Sequence, residues 1–145
     1  MTTGQAGYSG TPLAKKLGIK EDHRLLLIGA PPGWAVPDLP PGVDIRRRRS
    51  PRADRADVVV AFFADASRFT QAGPGIAQQL GTDSSLWVAW PRRAGGYQSD
   101  MTDQLLRDVL LPVGVVDVKV AALDGDWSGL KFVWRRENRG KRTRA

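Results

Sequence analysis

The sequence predicts one α/β domain with three layers, and three observations lead to this fold class. Two continuous apolar runs, residues 24–30 and 57–63, are typical of strands buried on both faces of a parallel sheet. Segments with helical spacing separate the later strands, which is the order of an α/β fold. A chain of 145 residues has room for a single hydrophobic core.

The first predicted element is a short helix over residues 12–17. Thr11 suits its N-cap, Pro12 suits its first position, and Gly18 suits the position just after its end. The buried strand over residues 24–30 follows and stops at the Pro31-Pro32-Gly33-Trp34 turn.

A weaker strand is predicted over residues 43–46, and its connection to the next strand is unusually short. Only about ten residues separate Arg46 from Asp57, whereas a helical crossover takes about 12 or more. We favour an edge strand that is returned by an extended arginine-rich loop. An antiparallel strand is the alternative.

The later elements complete the predicted topology. A helix at residues 66–80 should be interrupted or kinked by Gly73-Pro74-Gly75. The other predicted elements are a strand at 86–90, a helix at 100–111 capped by Ser99 or Asp100, and strands at 116–123 and 129–135 joined as a hairpin. This order predicts a small Rossmann-like domain, with a mostly parallel sheet and a C-terminal antiparallel hairpin.

Composition excludes several classes of site. The chain has no cysteine and one histidine, which excludes disulfides, thiol nucleophiles and most zinc and copper centres. Asp124-Gly125-Asp126 could bind a hard cation, but turn chemistry explains these carboxylates as well. We therefore expect no metal site, and the departures from a cofactor-binding pattern described below lead us to expect no cofactor.

The sequence also predicts the domain organisation and the cellular location. No apolar run approaches the roughly 18 residues that cross a bilayer, and residues 1–7 lack the layout of a secretory signal. We expect a cytoplasmic protein with a flexible N-terminus at 1–7, one domain at 8–135 and a basic flexible tail at 136–145.

The positive charge is concentrated in two segments. Residues 46–55 and 135–145 each carry six basic residues and one acidic residue, whereas the rest of the chain is slightly acidic. A solvated loop and a frayed tail explain this pattern, and so does contact with a polyanion. The candidate polyanion-binding residues are Arg46, Arg47, Arg48, Arg49, Arg52, Arg139, Lys141 and Arg142.

Loops that follow parallel strands should meet in a crevice at one edge of the sheet. Trp34 and Trp90 could form its apolar walls, and Arg92 and Arg93 could bind a phosphate or carboxylate, although solvated arginines and packed tryptophans are the alternative. The candidate crevice residues are Pro32, Gly33, Trp34, Asp65, Ser67, Trp90, Arg92, Arg93, Gly95 and Gly96. No catalytic residue is predicted.

Three motifs, at residues 8–18, 86–91 and 127–133, resemble those of a small, mainly actinobacterial family of unknown function. The resemblance implies a compact cytoplasmic domain. Polar residues within these motifs predict a recognition surface, although Trp127 could instead anchor the hairpin against the N-terminal helix. The candidate residues of this surface are Tyr8, Thr11, Lys15, Lys16, Trp127, Ser128 and Lys131.

The topology also resembles the second half of S-adenosylmethionine-dependent methyltransferases. There, too, a strand of the Asp57-Val58-Val59-Val60 type is followed by a helix, a strand, a helix and a closing hairpin. The chain departs from that pattern after its first strand, where two prolines stand in the turn, and after its second strand, where arginines replace an acid.

The sequence thus favours a non-catalytic binding module. It would engage an anionic partner (an acidic protein, a nucleotide or RNA) through the arginine-rich loop, the basic tail and the crevice loops. Two alternatives remain: a reduced methyltransferase-like enzyme acting on a small molecule, with Asp65, Trp90 and Arg92 near the reaction, or a structural homodimer or complex subunit. No membrane partner is expected.

Overall fold

The computed structural model describes residues 11–49, 56–93 and 98–142, with side chains up to Arg139. Six strands and four α-helices occupy these ranges, and a 3-10 turn at Leu111–Val113 follows the third helix. In chain order they are α1 Leu13–Leu17, β1 Arg24–Ile28, β2 Asp44–Arg48, β3 Val58–Phe62, α2 Ala66–Gln78, β4 Ser85–Pro91, α3 Asp103–Leu110, β5 Val115–Ala122, β6 Trp127–Trp134 and α4 Arg136–Arg142.

The strands form one sheet in the order β2-β1-β3-β4-β6-β5. The first four of these strands are parallel, and β6 pairs antiparallel with both β4 and β5. The predicted fold class is therefore confirmed. The chain leaves β1 toward β2 on one side and later continues through β3 on the other side, so the topological switch point lies between β1 and β3.

One face of the sheet packs against α2 and α3. A row of buried residues crosses four strands in register on this face, formed by Leu26, Val59, Leu86 and Phe132. Phe69 of α2 and Leu106 of α3 cover the same cluster and are fully buried. Burial at this face supplies a large share of the hydrophobic stabilisation.

The opposite face packs against α1 and the loop between β1 and β2. Leu27, Val60 and Trp87 form its central row. Trp87 is fully buried, and its Nε1–H donates to the carbonyl of Leu17 at 3.2 Å, which fixes the end of α1 on the sheet. Helices and loop on two faces give the predicted three layers.

Strand β2 is a parallel edge strand, as we favoured from the sequence, but it is longer than predicted. Its register with β1 runs from Arg24↔Asp44 to Ile28↔Arg48. Arg47 and Arg48 therefore belong to a strand and not to a loop, because β1 offers backbone partners along its whole length. The predicted arginine-rich loop is shorter by those two residues.

Both long helices differ from their predicted form. Helix α2 runs through Pro74 without interruption. Helix α3 begins at Asp103, because the hydroxyl of Thr102 accepts the N–H of Leu105 at 3.0 Å and caps the helix there. Ser99 and Asp100, the predicted caps, bind other groups, described below.

Part of the predicted flexible tail is helical. Helix α4 spans Arg136–Arg142, and the Nδ2 of Asn138 donates to the carbonyl of Gly114 at 3.0 Å. These contacts tie the start of α4 to the turn before β5. Within the described ranges, no helix has the length and apolar character needed to span a bilayer.

Candidate functional site

The switch point between β1 and β3 opens into a cavity at the carboxyl ends of these strands. In open α/β sheets, ligands bind in this place because the diverging connections leave a crevice there. The cavity has a volume of about 360 Å³. We call it the switch-point cavity, and it is lined by Ile28, Gly29, Arg49, Phe62, Phe63, Ala64, Asp65, Arg68 and Ala72.

Gly29 lies directly after β1, between the ends of β2 and β3. Its φ is +68°, and a β-carbon there would lie 3.3 Å from the carbonyl oxygen of Phe62. Its N–H donates to the carbonyl of Arg48 at 2.8 Å. Glycine is favoured here because a side chain would be strained in this conformation and crowded by β3.

Two carboxylates occupy the N-terminus of α2 beside the cavity. Oδ1 of Asp65 accepts the N–H of Ser67 at 2.8 Å, which caps the helix. Oδ1 of Asp100 accepts the N–H of Ala66 at 2.7 Å. The free N–H groups at the start of α2 are therefore already bonded, so this helix end is not a vacant phosphate site.

A second cavity lies beyond the carboxyl end of β4 and has a volume of about 460 Å³. We call it the β4 cavity, and it is lined by Trp90, Pro91, Arg92, Arg93, Ser99, Met101, Thr102, Asp103 and Ser128. Arg92 is fixed at its rim, because its N–H donates to the carbonyl of Asp126 at 2.8 Å and its Nη1 donates to the carbonyl of Asp124 at 3.0 Å.

An open groove connects the two cavities along the edge of the sheet. It is lined by Ala64, Asp65, Gln98, Ser99 and Asp100, so it shares Asp65 with the switch-point cavity and Ser99 with the β4 cavity. The hydroxyl of Ser99 donates to the carbonyl of Ala64 at 2.8 Å, which holds the segment before α3 against the end of β3. Asp65 therefore lies between the two cavities.

The structure brings together only part of the predicted crevice. Asp65 and Arg92 lie on one edge and are connected by the groove. Ser67 is exposed in the first turn of α2, where its N–H is bonded to Asp65. Gly95 and Gly96 lie outside the described residues.

Trp34 and Trp90 do not form walls of one crevice, because they lie on opposite faces of the sheet. A turn with Pro32 and Gly33 at its centre, closed by the N–H of Trp34 on the carbonyl of Pro31 at 3.0 Å, folds Trp34 under the face that carries α1. There its ring packs edge-on against Phe62, with centroids 4.8 Å apart. Trp34 therefore packs against a residue that lines the switch-point cavity.

The predicted polyanion-binding arginines of residues 46–49 contact different parts of the protein and do not form one surface. Nε of Arg46 lies 3.4 Å from the carboxylate of Asp44. Nη2 of Arg47 donates to the carbonyl of Trp34 at 2.6 Å, on the face that carries α1. Arg48 is half-buried at the end of β2, and Arg49 lines the switch-point cavity.

The C-terminal basic residues are partly engaged within the domain. Nε of Arg139 donates to the carbonyl of Trp134 at 3.1 Å. Lys141 and Arg142 lie in α4, but their side chains are outside the described set, as is all of Arg52.

The predicted recognition residues divide between several places. Trp127 packs edge-on against Phe62 at 5.0 Å, on the face that carries α1, and Ser128 lines the β4 cavity. Thr11 is half-buried and Lys15 is exposed, whereas Lys16 and Lys131 are both half-buried. Tyr8 lies outside the described residues.

The carboxylate of Asp124 stabilises the hairpin turn. Oδ1 of Asp124 accepts the N–H groups of Asp126 and Trp127, each at 2.8 Å, and Oδ2 accepts Nε1–H of Trp34 at 3.0 Å. Within the part of the chain that the structure describes, no group of three or more His, Asp or Glu side chains is placed to hold a metal ion.

Of the nine residues that line the switch-point cavity, only Arg49 and Asp65 were among the predicted site residues; seven were missed, and so was Asp100 beside the cavity. Gly29 carried a signal, because a glycine directly after a buried strand is typical of close backbone approach. Arg68 follows the Asp65 cap by three residues, and this spacing could have placed both at one helix end. Phe63, Ala72 and Asp100 carried no local signal, since their positions depend on packing between distant segments.

Neither a protein-family model nor a curated protein matches the sequence, so the resemblance to the small bacterial family stays a prediction. Solved structures do match. The mitomycin 7-O-methyltransferase MmcR aligns with a TM-score of 0.57 and 14% identity, covering 90% of this chain and 51% of that one. A SAM-dependent methyltransferase from Aquifex aeolicus aligns at 0.51 and 11%, covering 83% and 86%.

A third structure, LepI in complex with SAH and a substrate analogue, aligns at 0.54 with 12% identity and covers 93% of this chain and 49% of that one. The chain thus spans about half the length of several structures it matches. At these identities the likeness establishes the fold, which is that of the methyltransferases. It corrects the expectation of a non-catalytic binding module, because the methyltransferase-like alternative fits this fold better.

Proposed function

We propose that the chain is a methyltransferase-like enzyme that acts on a small molecule and binds an S-adenosylmethionine-type cofactor in the switch-point cavity. The observation that carries this proposal is a cavity of about 360 Å³ at the β1/β3 switch point of a methyltransferase fold, with both signs of charge on its walls. Small-molecule sites commonly have volumes of about 300–1,000 Å³.

The side chains of the cavity fit the chemistry of this cofactor. S-adenosylmethionine carries a carboxylate, an ammonium group, a sulfonium and an aromatic base. The guanidinium groups of Arg49 and Arg68 suit the carboxylate, and the carboxylate of Asp65 suits the ammonium group or a ribose hydroxyl. Phe62 and Phe63 offer apolar surface to the base, and Gly29 lets the ligand approach the backbone.

Two features differ from the usual dinucleotide pattern. Residues 29–43 form no helix, and Pro31 and Pro32 provide no N–H donors. Arg49 stands where an acid would bind the ribose hydroxyls. Asp65 is therefore the residue of this cavity that we assign to the hydroxyls, since it is the carboxylate lining it.

When bound, S-adenosylmethionine supplies an electrophilic methyl group. The chain itself would bind and orient the reactants. The capping bonds from α2 to Oδ1 of Asp65 hold this carboxylate in place, and its Oδ2 can accept a hydrogen bond from a ligand. Catalysis would then depend on proximity, because holding two reactants in adjoining sites makes a bimolecular reaction effectively unimolecular.

The β4 cavity is the proposed site of the acceptor molecule. It adjoins the connecting groove at Ser99, and its volume of about 460 Å³ suits a small molecule. Trp90 and Met101 offer apolar surface, and Arg92 offers the part of its guanidinium that is not bonded to Asp124. An aromatic acceptor with an anionic group fits this lining.

The cytoplasmic location predicted above remains part of the proposal. A chain without cysteine gains nothing from an oxidising compartment, and reducing conditions leave it unchanged.

Calorimetric titration with S-adenosylmethionine and S-adenosylhomocysteine tests the cofactor site. We expect saturable binding with Kd below about 1 mM, equivalent to a binding free energy of about 4 kcal/mol. Ala72→Phe should abolish it by filling the cavity, whereas Gln71→Phe, one residue along on the exposed face of α2, should leave it unchanged.

Asp65→Asn separates the charge of this residue from its capping role, because asparagine caps helices as well as aspartate does. We expect normal thermal stability and at least tenfold weaker binding. Asp83→Asn, an exposed site in the turn before β4, is the matched control. If neither compound binds at millimolar concentration, the proposal fails.

A further inference from the structure

Two of the sequence motifs meet at a place that the proposed function does not use. Lys16 lies on α1 in the first motif, and Lys131 lies on β6 in the last. A β-carbon at Gly18, the C-cap of α1, would lie 3.7 Å from Nζ of Lys131. Nζ of Lys16 donates to the carbonyl of Ala122 at 3.2 Å, at the end of β5. Both lysines thus lie where α1 packs beside the β5–β6 hairpin.

Two further lysines complete a compact cluster. Lys119 is the direct cross-strand partner of Lys131, and such partners have β-carbons about 4.5–5.5 Å apart. Lys20 follows α1, and its charge also lowers the pKa of Lys131. We call Lys16, Lys20, Lys119 and Lys131 the lysine corner.

The like charges of the lysine corner repel each other. Partial burial lowers the pKa of Lys131, and the nearby charges of Lys119 and Lys20 lower it further. Burial also lowers the pKa of Lys16, again with a contribution from Lys119. Like charges directly opposite on a ladder destabilise a sheet.

Among the described residues, no carboxylate forms a salt bridge with Lys20, Lys119 or Lys131. The salt bridges of the described chain join carboxylates to arginines instead. Two neighbouring strands and the segment after α1 therefore carry three lysines whose charges repel each other and that have no salt bridge among the described residues. An anion bound among them would remove the repulsion and stabilise the folded chain.

We propose that the lysine corner binds an oligophosphate group, such as the diphosphate or triphosphate of a small molecule. Lysine binds phosphate as a point charge, and several lysines around one spot suit closely spaced negative charges. The cluster is confined to one corner of α1 and two strands, so it fits a compact group better than an extended nucleic-acid strand.

This site is independent of the proposed cofactor site. None of its four lysines lines either cavity, and Lys131 pairs in register with Trp87, near the amino end of β4. Loss of S-adenosylmethionine binding would leave this inference untouched, and the reverse also holds.

Titration of the whole chain with tripolyphosphate, followed by calorimetry and by thermal unfolding in phosphate-free buffer of low ionic strength, tests the site. We expect a rise in Tm for the unmodified protein and at least tenfold weaker binding for Lys131→Gln. Without the ligand, Lys131→Gln should be at least as stable as the unmodified protein, because it removes repulsion. This second readout distinguishes loss of the site from loss of folding.

Lys15→Gln is the matched control, since Lys15 lies exposed on the same helix next to Lys16. It should bind tripolyphosphate as the unmodified protein does. If Lys15→Gln weakened tripolyphosphate binding as much as Lys131→Gln, net charge alone would explain the effect, and the proposal would be overturned. Tighter binding of a single-stranded RNA oligonucleotide, lost in Lys131→Gln, would overturn the assignment to a compact oligophosphate.

Discussion

Asp124→Ala tests how the hairpin turn supports the candidate cofactor site. The side chain of Asp124 accepts three hydrogen bonds, from the backbone N–H groups of Asp126 and Trp127 and from Nε1–H of Trp34. Trp34 packs under Phe62, which lines the switch-point cavity. The substitution therefore removes the hydrogen bond that connects the hairpin turn to Trp34, and through Trp34 to the wall of the cavity.

The expected loss follows from where the three donors lie. Trp34 is 9% exposed, so its indole N–H is left without a partner, which costs about 1–3 kcal/mol. The two turn N–H groups are closer to water, and each bond contributes about 0.5 kcal/mol. The free energy of unfolding should fall by about 2–4 kcal/mol. With an unfolding entropy of about 0.3 kcal/mol/K for 145 residues, Tm should fall by about 7–13 °C.

Urea and thermal denaturation measure this loss, with Asp126→Ala as the control in the same turn. The side chain of Asp126 is exposed and has no bonded partner among the described residues, so its removal should cost less than about 0.5 kcal/mol. Asp124→Ala should also cost less in a Trp34→Phe background, because the indole N–H is then absent. Equal losses for Asp124→Ala and Asp126→Ala would refute the reasoning.

Two further predictions concern the pH dependence and the switch-point glycine. The pKa of Lys131 is lowered on folding, so between this lowered value and 10.5 the unfolded chain binds more protons and the free energy of unfolding rises with pH. Urea denaturation between pH 8 and about pH 10.5 should show this rise, and Lys131→Gln should flatten it; an unchanged slope in the variant would assign the rise to other groups. Gly29→Ala should lower the free energy of unfolding by about 1–2 kcal/mol, because alanine is strained at φ +68° and would meet Phe62. Gly125→Ala, in open space without a positive φ, is the control, and equal urea midpoints for the two variants would contradict this account.

Several elements could be predicted because their signals are local. The buried strands β1 and β3 follow from continuous apolar runs, and β2 follows from a short strand pattern after a Pro-Pro-Gly turn. Asp65 caps α2, as its place before a helical segment indicates. The position of the cavity also follows in part, since parallel strands end at a common edge.

Other features depended on contacts between distant segments. Asp100 precedes α3 in the sequence but bonds to the start of α2, so its pattern suggested the wrong helix. Arg47 and Arg48 were predicted as part of a loop, but β1 provides backbone partners that make them part of β2. Trp34 and Trp90 were both predicted to line the crevice, but Trp34 packs on the face that carries α1 and Trp90 packs on the opposite face.

The sequence by itself determined which segments become strands and helices, because hydrophobic periodicity, capping residues and turn residues act over a few positions. The tertiary structure alone decided which side chains share a site. Lys16, Lys119 and Lys131 meet only because α1 packs beside a hairpin in one particular register. The register decides which side chains meet because side chains alternate along a strand, and a slip of one residue moves each of them to the other face.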